Sequence, residues 1–272
     1  SAGAALANHP HINFMSFTGS PRVGTLVQQA TAKHFVGCTL ELGGKSPQLI
    51  FADADLDKAL PTVVKAIIQH AGQTCSAGSR ILVQKEIYNE FMAQVAELFA
   101  KVRVGTPEMD LDCGPVMNVR QQSLVDGFRT DAIKSGIELL AEGVFADGLD
   151  QNGFWVKPAL FGNVPRDHRL ACDEVFGPVL SAIPFDDELD AIRLANATDY
   201  GLVGSVWTKD GNRQQRVAKR MNCGQVFINN YGAGGGVELP FGGMKKSGHG
   251  REKGFIALEH FTTTKTIVHH HE

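Results

Sequence analysis

Short apolar runs and longer amphipathic runs alternate along the chain. The run INFMSFT precedes the amphipathic segment SPRVGTLVQQATAKH, and VLSAIPF precedes DDELDAIRLANA in the second half. Short apolar runs predict strands, and longer segments with apolar residues at helical spacing predict helices. Strands that alternate with helices are typical of an α/β protein with a mostly parallel sheet. We therefore predict this fold class.

Size and charge exclude several classes of protein. The 272 residues are 43% hydrophobic and 20% charged, which suits one large or two ordinary globular domains. The net charge is -3 and no basic run is interleaved with aromatic residues, so we expect no nucleic-acid partner. The apolar stretches are interrupted by Lys or Pro, which predicts no membrane span. The N-terminal SAGAALANHP lacks the features of a signal peptide, and we expect a cytoplasmic protein.

The cysteines are spread widely and form no CxxC pair. They are Cys38, Cys75, Cys113, Cys172 and Cys223. This spacing argues against a disulfide framework and against a zinc site, and we predict no metal. Cys75 differs from the others because it lies among small and polar residues, in HAGQTCSAGSR, after an apolar helical run. We expect it at the start of a helix, where the helix dipole would favour the thiolate.

The stretch FTGSPRVG predicts a turn that opens a helix. Ser20 is a favoured N-cap residue, Pro21 is favoured at the first helical position, and Gly19 allows the turn before them. The unpaired N–H groups at such a helix start suit a phosphate. The alternative from these residues alone is a well-capped helix that binds nothing.

Two acidic residues follow or precede strand-like runs. Glu41 lies between two leucines in LELGGKSP and comes just before a glycine pair. It is either a solvated strand tip or a desolvated base, and the local sequence favours the tip. Glu174, in CDEVFGP, is either part of a charged loop or part of a functional cluster.

The order of the motifs resembles that of the aldehyde dehydrogenase superfamily. The stretches that carry the resemblance are FTGS, LELGGKSP, GQTCSAGSR, EVFGPV and PFGGMKKSGHGRE. The resemblance runs from AGAALANHP to TTTKTIV. It implies oxidation of an aldehyde to a carboxylic acid through a cysteine thiohemiacetal and an acyl thioester, with hydride passing to nicotinamide. The implied cofactor is NAD, with NADP as the alternative.

The resemblance also implies roles for single residues. Cys75 matches the nucleophile, Glu41 matches the glutamate that activates water, and Glu252, in GRE, matches a second carboxylate near that glutamate. These are the implied catalytic residues.

The implied cofactor-binding residues come from three motifs. Gly19 and Ser20 match the turn against which the pyrophosphate lies. Glu174 matches the residue that holds the nicotinamide ribose, and Phe176 lies along the nicotinamide end. Leu42 offers its carbonyl to the carboxamide.

By the same resemblance we divide the chain into three parts. Residues 1–43 match the remnant of a Rossmann-type NAD(P)-binding domain, 44–243 a catalytic domain, and 244–272 a return segment with an oligomerisation strand. We expect HFTTTKTIV to pair with another subunit, which implies a homo-oligomer, either a dimer or a tetramer. Relatives carry roughly half of their chain before these residues, so we expect this chain to be incomplete and impaired alone.

Two alternatives and one substrate preference remain as hypotheses. The first alternative is a non-catalytic protein that has the same fold and a structural or binding role. The second is a CoA-acylating dehydrogenase, in which transfer of the acyl group to the thiol of CoA replaces hydrolysis. Glu41 disfavours the second, since thiol transfer needs no water-activating base. The loop from Tyr231 to Phe241 contains Glu238 and neither Arg nor Lys, which favours neutral aldehydes. Arg80 could supply a cation, although its place at a strand start suggests a structural role.

Overall fold

The computed structural model describes residues 1–150, 152–232 and 236–272, and it confirms the α/β fold. The described helices are α1 (Ala2–Ala7), α2 (Pro21–Ala32), α3 (Leu56–Ile68), α4 (Tyr88–Ala100), α5 (Val119–Lys134), α6 (Arg169–Cys172), α7 (Glu188–Asn196), α8 (Gly211–Arg220) and α9 (Gly254–His260). The described strands are β1 (Phe14–Thr18), β2 (Gly37–Glu41), β3 (Pro47–Ile50), β4 (Arg80–Gln84), β5 (Arg103–Val104), β6 (Glu138–Glu142), β7 (Val144–Phe145), β8 (Ala159–Gly162), β9 (Val179–Phe185), β10 (Val203–Trp207), β11 (Gln225–Ile228) and β12 (Gly248–His249).

The central sheet has seven strands in the order β11-β10-β3-β4-β9-β8-β6. All neighbouring pairs are parallel except β6, which runs antiparallel to β8. Strands β3 and β4 lie in the middle, and their apolar residues are fully buried. A parallel sheet is covered on both faces, which explains why the apolar residues at 49–50 in β3 and at 81–83 in β4 follow one another without alternation. The predicted mostly parallel sheet is confirmed.

A smaller sheet contains β1, β2 and β12. Strands β1 and β2 are parallel, and β12 returns from late in the chain to pair antiparallel with β2, with Gly248 opposite Glu41. The chain changes sheet between Glu41 and Pro47, and that connection contains the glycine pair. The division into 1–43, 44–243 and 244–272 stays a prediction.

The C-terminal residues 262–272 are exposed, and they form no helix or strand within the described chain. Ile267 and Val268 are 71% and 86% exposed. Pairing of HFTTTKTIV with another subunit stays a prediction. Among the described helices, none combines the length and apolar character needed to cross a bilayer.

A sharp reversal joins α3 to the segment that holds Cys75. His70, Ala71 and Gly72 have φ values of 53°, 53° and 69°, all in the left-handed region. At Gly72 a Cβ atom would lie 2.2 Å from backbone atoms of Gly177. The reversal therefore brings the chain before Cys75 into direct backbone contact with the turn that follows Glu174.

Gly72→Ala should lower the free energy of unfolding by roughly 2–5 kcal/mol, because the methyl group meets backbone and φ is positive. Gly127→Ala is the matched control, since Gly127 lies inside α5 with no atom within 4 Å of the added Cβ. That change should raise the stability by ~0.5–1 kcal/mol. Urea denaturation measures both, and equal midpoints for the two variants would contradict the expectation.

Candidate active site

One cavity of about 550 Å³ gathers most of the residues selected from the sequence. The proposed site residues that line it are Gly19, Ser20, Glu41, Leu42, Cys75, Glu174 and Phe176. They come from four motifs that are separated by up to 157 residues in the sequence. Glu252 is absent from the lining.

Cys75 lies in a turn between α3 and β4, and no helix begins at this residue. The prediction that Cys75 starts a helix is therefore wrong, and so is the prediction that a helix dipole favours its thiolate. Burial raises the pKa of the thiol, and the Glu174 and Glu41 carboxylates raise it further. The backbone N–H groups of Ser76 and Cys75 lower this pKa, because they donate hydrogen bonds to the thiolate.

Glu41 ends β2 and is 1% exposed, so the solvated strand tip favoured by the local sequence is wrong. The pKa of this carboxyl is raised to about 8, mainly by burial and also by the charge of Glu252, while Arg251 acts in the opposite direction. Within the described residues neither oxygen of the Glu41 side chain has a hydrogen-bond partner. A desolvated carboxyl of this kind holds a proton at neutral pH and is a strong base once ionised.

Glu252 lies outside the cavity but close enough to act on Glu41. The Ser16 hydroxyl donates a hydrogen bond of 2.8 Å to Oε1 of Glu252. The backbone of Glu252 exchanges two hydrogen bonds of 2.7 Å with Phe241. Glu252 therefore lies outside the cavity lining, and its charge affects the pKa of Glu41.

Glu174 is held against the connection between the two sheets. Oε1 of Glu174 accepts a hydrogen bond of 3.0 Å from the backbone N–H of Gly44. Burial raises the pKa of Glu174 to about 7, although this hydrogen bond and Lys45 lower it. Gly43 is required for the approach, since a Cβ there would lie 2.2 Å from Oε2 of Glu174. This contact accounts for the first glycine of LELGGKSP.

The start of α2 opens onto the same cavity. Ser20 is the N-cap, and its hydroxyl accepts a hydrogen bond of 3.4 Å from the backbone N–H of Val23. Pro21 is the first helical residue, as the sequence predicted. The backbone N–H of Gly19 donates to the carbonyl of Glu41 at 3.0 Å, which joins the turn to the end of β2.

Gln121 contributes to the site although its sequence carries no motif. It lines the cavity from α5, and its amide donates to the carbonyls of Val175 at 3.1 Å and Phe176 at 2.7 Å. Phe176 has φ of 53°, a left-handed conformation that is unusual for an aromatic residue. Gln121 therefore holds the turn that presents Phe176 to the cavity. Only the fold brings these distant positions together.

A second cavity, of about 400 Å³, lies on the other side of the Cys75 turn. Thr74 lines both cavities, Cys75 lines the first, and Ser76 lines the second. Tyr231 also lines the second cavity, and its hydroxyl donates a hydrogen bond of 2.7 Å to the carbonyl of Ser76. The Cys75 turn is therefore the partition between two spaces.

Arg80 lines neither of these cavities. It is buried, and its guanidinium donates to the carbonyls of Lys45, Leu194 and Ala195 at 2.9–3.0 Å. This agrees with the structural role suggested by its place at a strand start. In the described ranges no group of three or more His, Cys, Asp or Glu side chains is arranged to hold a metal ion.

Glu41→Gln should remove a pH dependence of stability. The pKa of this carboxyl rises from 4.5 to about 8 on folding. Between these values the unfolded chain releases a proton that the folded chain retains, so stability falls as pH rises. The free energy of unfolding of the variant, relative to that of the parent protein, should therefore increase by roughly 2–4 kcal/mol as the pH rises from 5 to 8. Urea denaturation at the two pH values measures this gain. The exposed Glu97→Gln is the control, and an equal pH response in both variants would contradict the expectation.

Comparison with known proteins places these features in a family. The model of the aldehyde dehydrogenase family matches residues 1–267. An aldehyde dehydrogenase from Emericella nidulans is 42% identical over 268 residues, which are 98% of this chain and 53% of that protein. The chain spans about half the length of the curated relatives it matches.

Solved structures give the same result. A Burkholderia cenocepacia protein described as a candidate aldehyde dehydrogenase superposes with a TM-score of 0.96 and 58% identity, over 98% of this chain and 56% of that one. A betaine aldehyde dehydrogenase from Staphylococcus aureus, solved with NAD+, superposes with a TM-score of 0.90 and 35% identity, over 95% and 52% of the two chains. The chain belongs to the aldehyde dehydrogenase family.

Proposed function

We propose that the protein oxidises an aldehyde to a carboxylic acid with NAD, or alternatively NADP, through a thiohemiacetal and an acyl thioester on Cys75. Membership of the family supports an oxidoreductase that acts on aldehydes. The observation that carries the finer proposal is the position of Cys75 in the partition between two cavities. Cys75 lines the first cavity and its neighbours Thr74 and Ser76 line the second, so in this proposal the cofactor reaches the thiol from the first cavity and the aldehyde from the second.

The first cavity fits a nicotinamide dinucleotide. The turn at Gly19 and Ser20 opens onto this cavity at the N-terminus of α2, where the helix dipole favours the negative charge of a pyrophosphate. The carboxyl of Glu174, held by Gly44, would accept hydrogen bonds from ribose hydroxyls, and Phe176 supplies an apolar surface beside the ring. Bound there, the nicotinamide supplies the two-electron oxidation that turns a thiohemiacetal into a thioester.

Cys75 acts as the nucleophile in this proposal. Its thiolate adds to the carbonyl carbon of the aldehyde, and the carbonyl oxygen becomes the oxyanion of the thiohemiacetal. The backbone N–H groups of Cys75 and Ser76 already favour negative charge at this point. Donors of this kind stabilise a developing oxyanion when they are fixed in advance.

Glu41 completes the reaction by activating water. A carboxylate whose pKa is about 8 accepts a proton from water far more readily than an ordinary glutamate does. The water oxygen attacks the thioester carbonyl, the carbon–sulfur bond breaks, and the thiolate of Cys75 is regenerated. The negative charge of the neighbouring Glu252 raises the pKa of Glu41 and so disfavours its ionisation.

Formation of NADH from an aldehyde tests the proposal, with the full-length protein that contains this sequence. Wild-type protein should form NADH, and Cys75→Ala should form none. Failure of the wild-type protein to oxidise any aldehyde would favour the non-catalytic alternative. A rate that depends on added CoA, with an acyl-CoA as product, would favour the CoA-acylating alternative.

Acylation by p-nitrophenyl acetate should separate the roles of Cys75 and Glu41 without any cofactor. Mass spectrometry should find one acetyl group that accumulates on Glu41→Gln and none on Cys75→Ala, because only the first variant keeps the nucleophile. Hydrolysis of the acetyl thioester should be slowed ~10²-fold or more in Glu41→Gln. In the wild-type protein it should accelerate as the pH rises through about 8, because Glu41 must lose its proton. Equal turnover by wild type and Glu41→Gln would contradict these roles.

Gln121→Ala should weaken cofactor binding, because the turn that carries Phe176 loses both of its side-chain hydrogen bonds. The KM for NAD should rise roughly 5-fold or more, the effect of about 1 kcal/mol, with a smaller change in kcat. Gln122→Ala is the control, since its amide donates to the carbonyl of Trp155, away from the cavity. Equal effects of both substitutions on the KM would show that Gln121 has no special part in the site.

A further inference from the structure

The second cavity has one wall made by a face of α3. The residues of this wall are Pro61, Thr62, Lys65, Ala66 and Gln69. Their spacing is that of one side of a helix and the turn after it, so these side chains face the same space. The rest of the described lining is made by Thr74 and Ser76 of the Cys75 turn together with residues 230–232. A molecule in this cavity therefore lies between α3 and the turn that holds the thiol.

Lys65 is the single charged residue among the described residues that line this cavity. Within the described chain it forms no salt bridge, unlike Lys58 two turns earlier, which pairs with Asp55 at 2.8 Å. The other polar groups of the lining are hydroxyls and amides, from Thr62, Gln69 and Asn230 among others. The cavity therefore has a positive charge, uncharged hydrogen-bonding groups and no carboxylate among its described lining.

We infer that the second cavity binds an aldehyde that carries a carboxylate at the end remote from the carbonyl, with Lys65 as the partner of the carboxylate. This inference rests on the proposed function, since it assigns the aldehyde to the side of the partition away from Glu174. An ammonium group in a cavity without acidic residues attracts an anionic ligand and orients it. With the carboxylate at α3, the carbonyl group points across the cavity toward the Cys75 turn.

The inference reverses the preference for neutral aldehydes drawn from the sequence. That preference rested on the absence of Arg and Lys from the loop between Tyr231 and Phe241. The structure places a cation, Lys65, in the lining of the cavity that Tyr231 of this loop also lines, and this cation comes from a helix that precedes Cys75 in the chain. The loop and the helix share one cavity, so the charge of the loop alone does not decide the selectivity.

Succinic semialdehyde and its methyl ester form a matched pair for the test, because they share the aldehyde and the carbon chain and differ in one charge. With the full-length protein, kcat/KM should favour the acid by about two- to fivefold, the effect of one ion pair with the exposed Lys65. Lys65→Met should abolish the preference and Lys65→Arg should retain most of it. Lys58→Met, which removes a charge from the same helix outside the cavity lining, should leave it unchanged. Preference for the ester, or a ratio that is equal in wild type and Lys65→Met, would overturn the inference.

Alkylation of Cys75 gives a readout that requires no turnover. The rate with iodoacetate relative to iodoacetamide, measured by mass spectrometry of the peptide that contains Cys75, should fall in Lys65→Met and stay constant in Lys58→Met. A ratio that does not respond to Lys65 would count against the anion site. If this ratio responds while no aldehyde is oxidised, the proposed function fails and the anion site stands. If aldehydes are oxidised without regard to charge, the proposed function stands and the substrate class is wrong.

Discussion

The hydrogen bond from the backbone N–H of Gly44 to the carboxyl of Glu174 holds together the segments on which the site depends. Gly44 belongs to the connection between the two sheets, and Glu174 belongs to the loop before β9. The same Gly44 lies against the carbonyl of Cys75, where a Cβ would come within 2.4 Å. A second close contact, between Gly72 and Gly177, joins the segment before Cys75 to the loop that holds Glu174. Residues without side chains make these approaches possible, because backbone meets backbone or carboxylate at distances that leave no room for a methyl group.

Desolvation governs the chemistry of the groups that these contacts bring together. Glu41, Cys75 and Glu174 all titrate above their ordinary pKa values, and burial is the largest cause for each. The carboxylates of Glu41 and Glu174 also raise the pKa of Cys75, so the thiol does not titrate independently of them. A cationic group that enters the cavity beside Cys75 would favour the thiolate, and backbone N–H groups at Cys75 and Ser76 already do so. At neutral pH Glu41 and Cys75 are therefore mostly protonated, while Glu174, with a pKa of about 7, is partly ionised.

The partition formed by the Cys75 turn separates two environments of different charge. The first cavity contains the carboxyls of Glu41 and Glu174, while the charged group of the second cavity, in the described lining, is the ammonium of Lys65. A hydrogen bond from Tyr231 to the carbonyl of Ser76 steadies the partition from the second side. In the proposed function, the cofactor and the aldehyde would approach Cys75 from the two cavities, and different residues would select each of them. Selectivity for the aldehyde can thus change in the second cavity without altering the residues around the first.

The sequence by itself determined the alternation of strands and helices, the start of α2 at Ser20 and Pro21, and the order of motifs that indicates the family. These features are local, because periodicity, capping and motif spacing depend on neighbouring residues. Only the tertiary structure decided that Glu41 is buried, that Cys75 lies in a turn, and that Gln121 supports Phe176. It also brought Lys65 into the lining of the cavity that Tyr231 lines. Burial and long-range proximity depend on which distant segments pack together, and no local pattern encodes that packing.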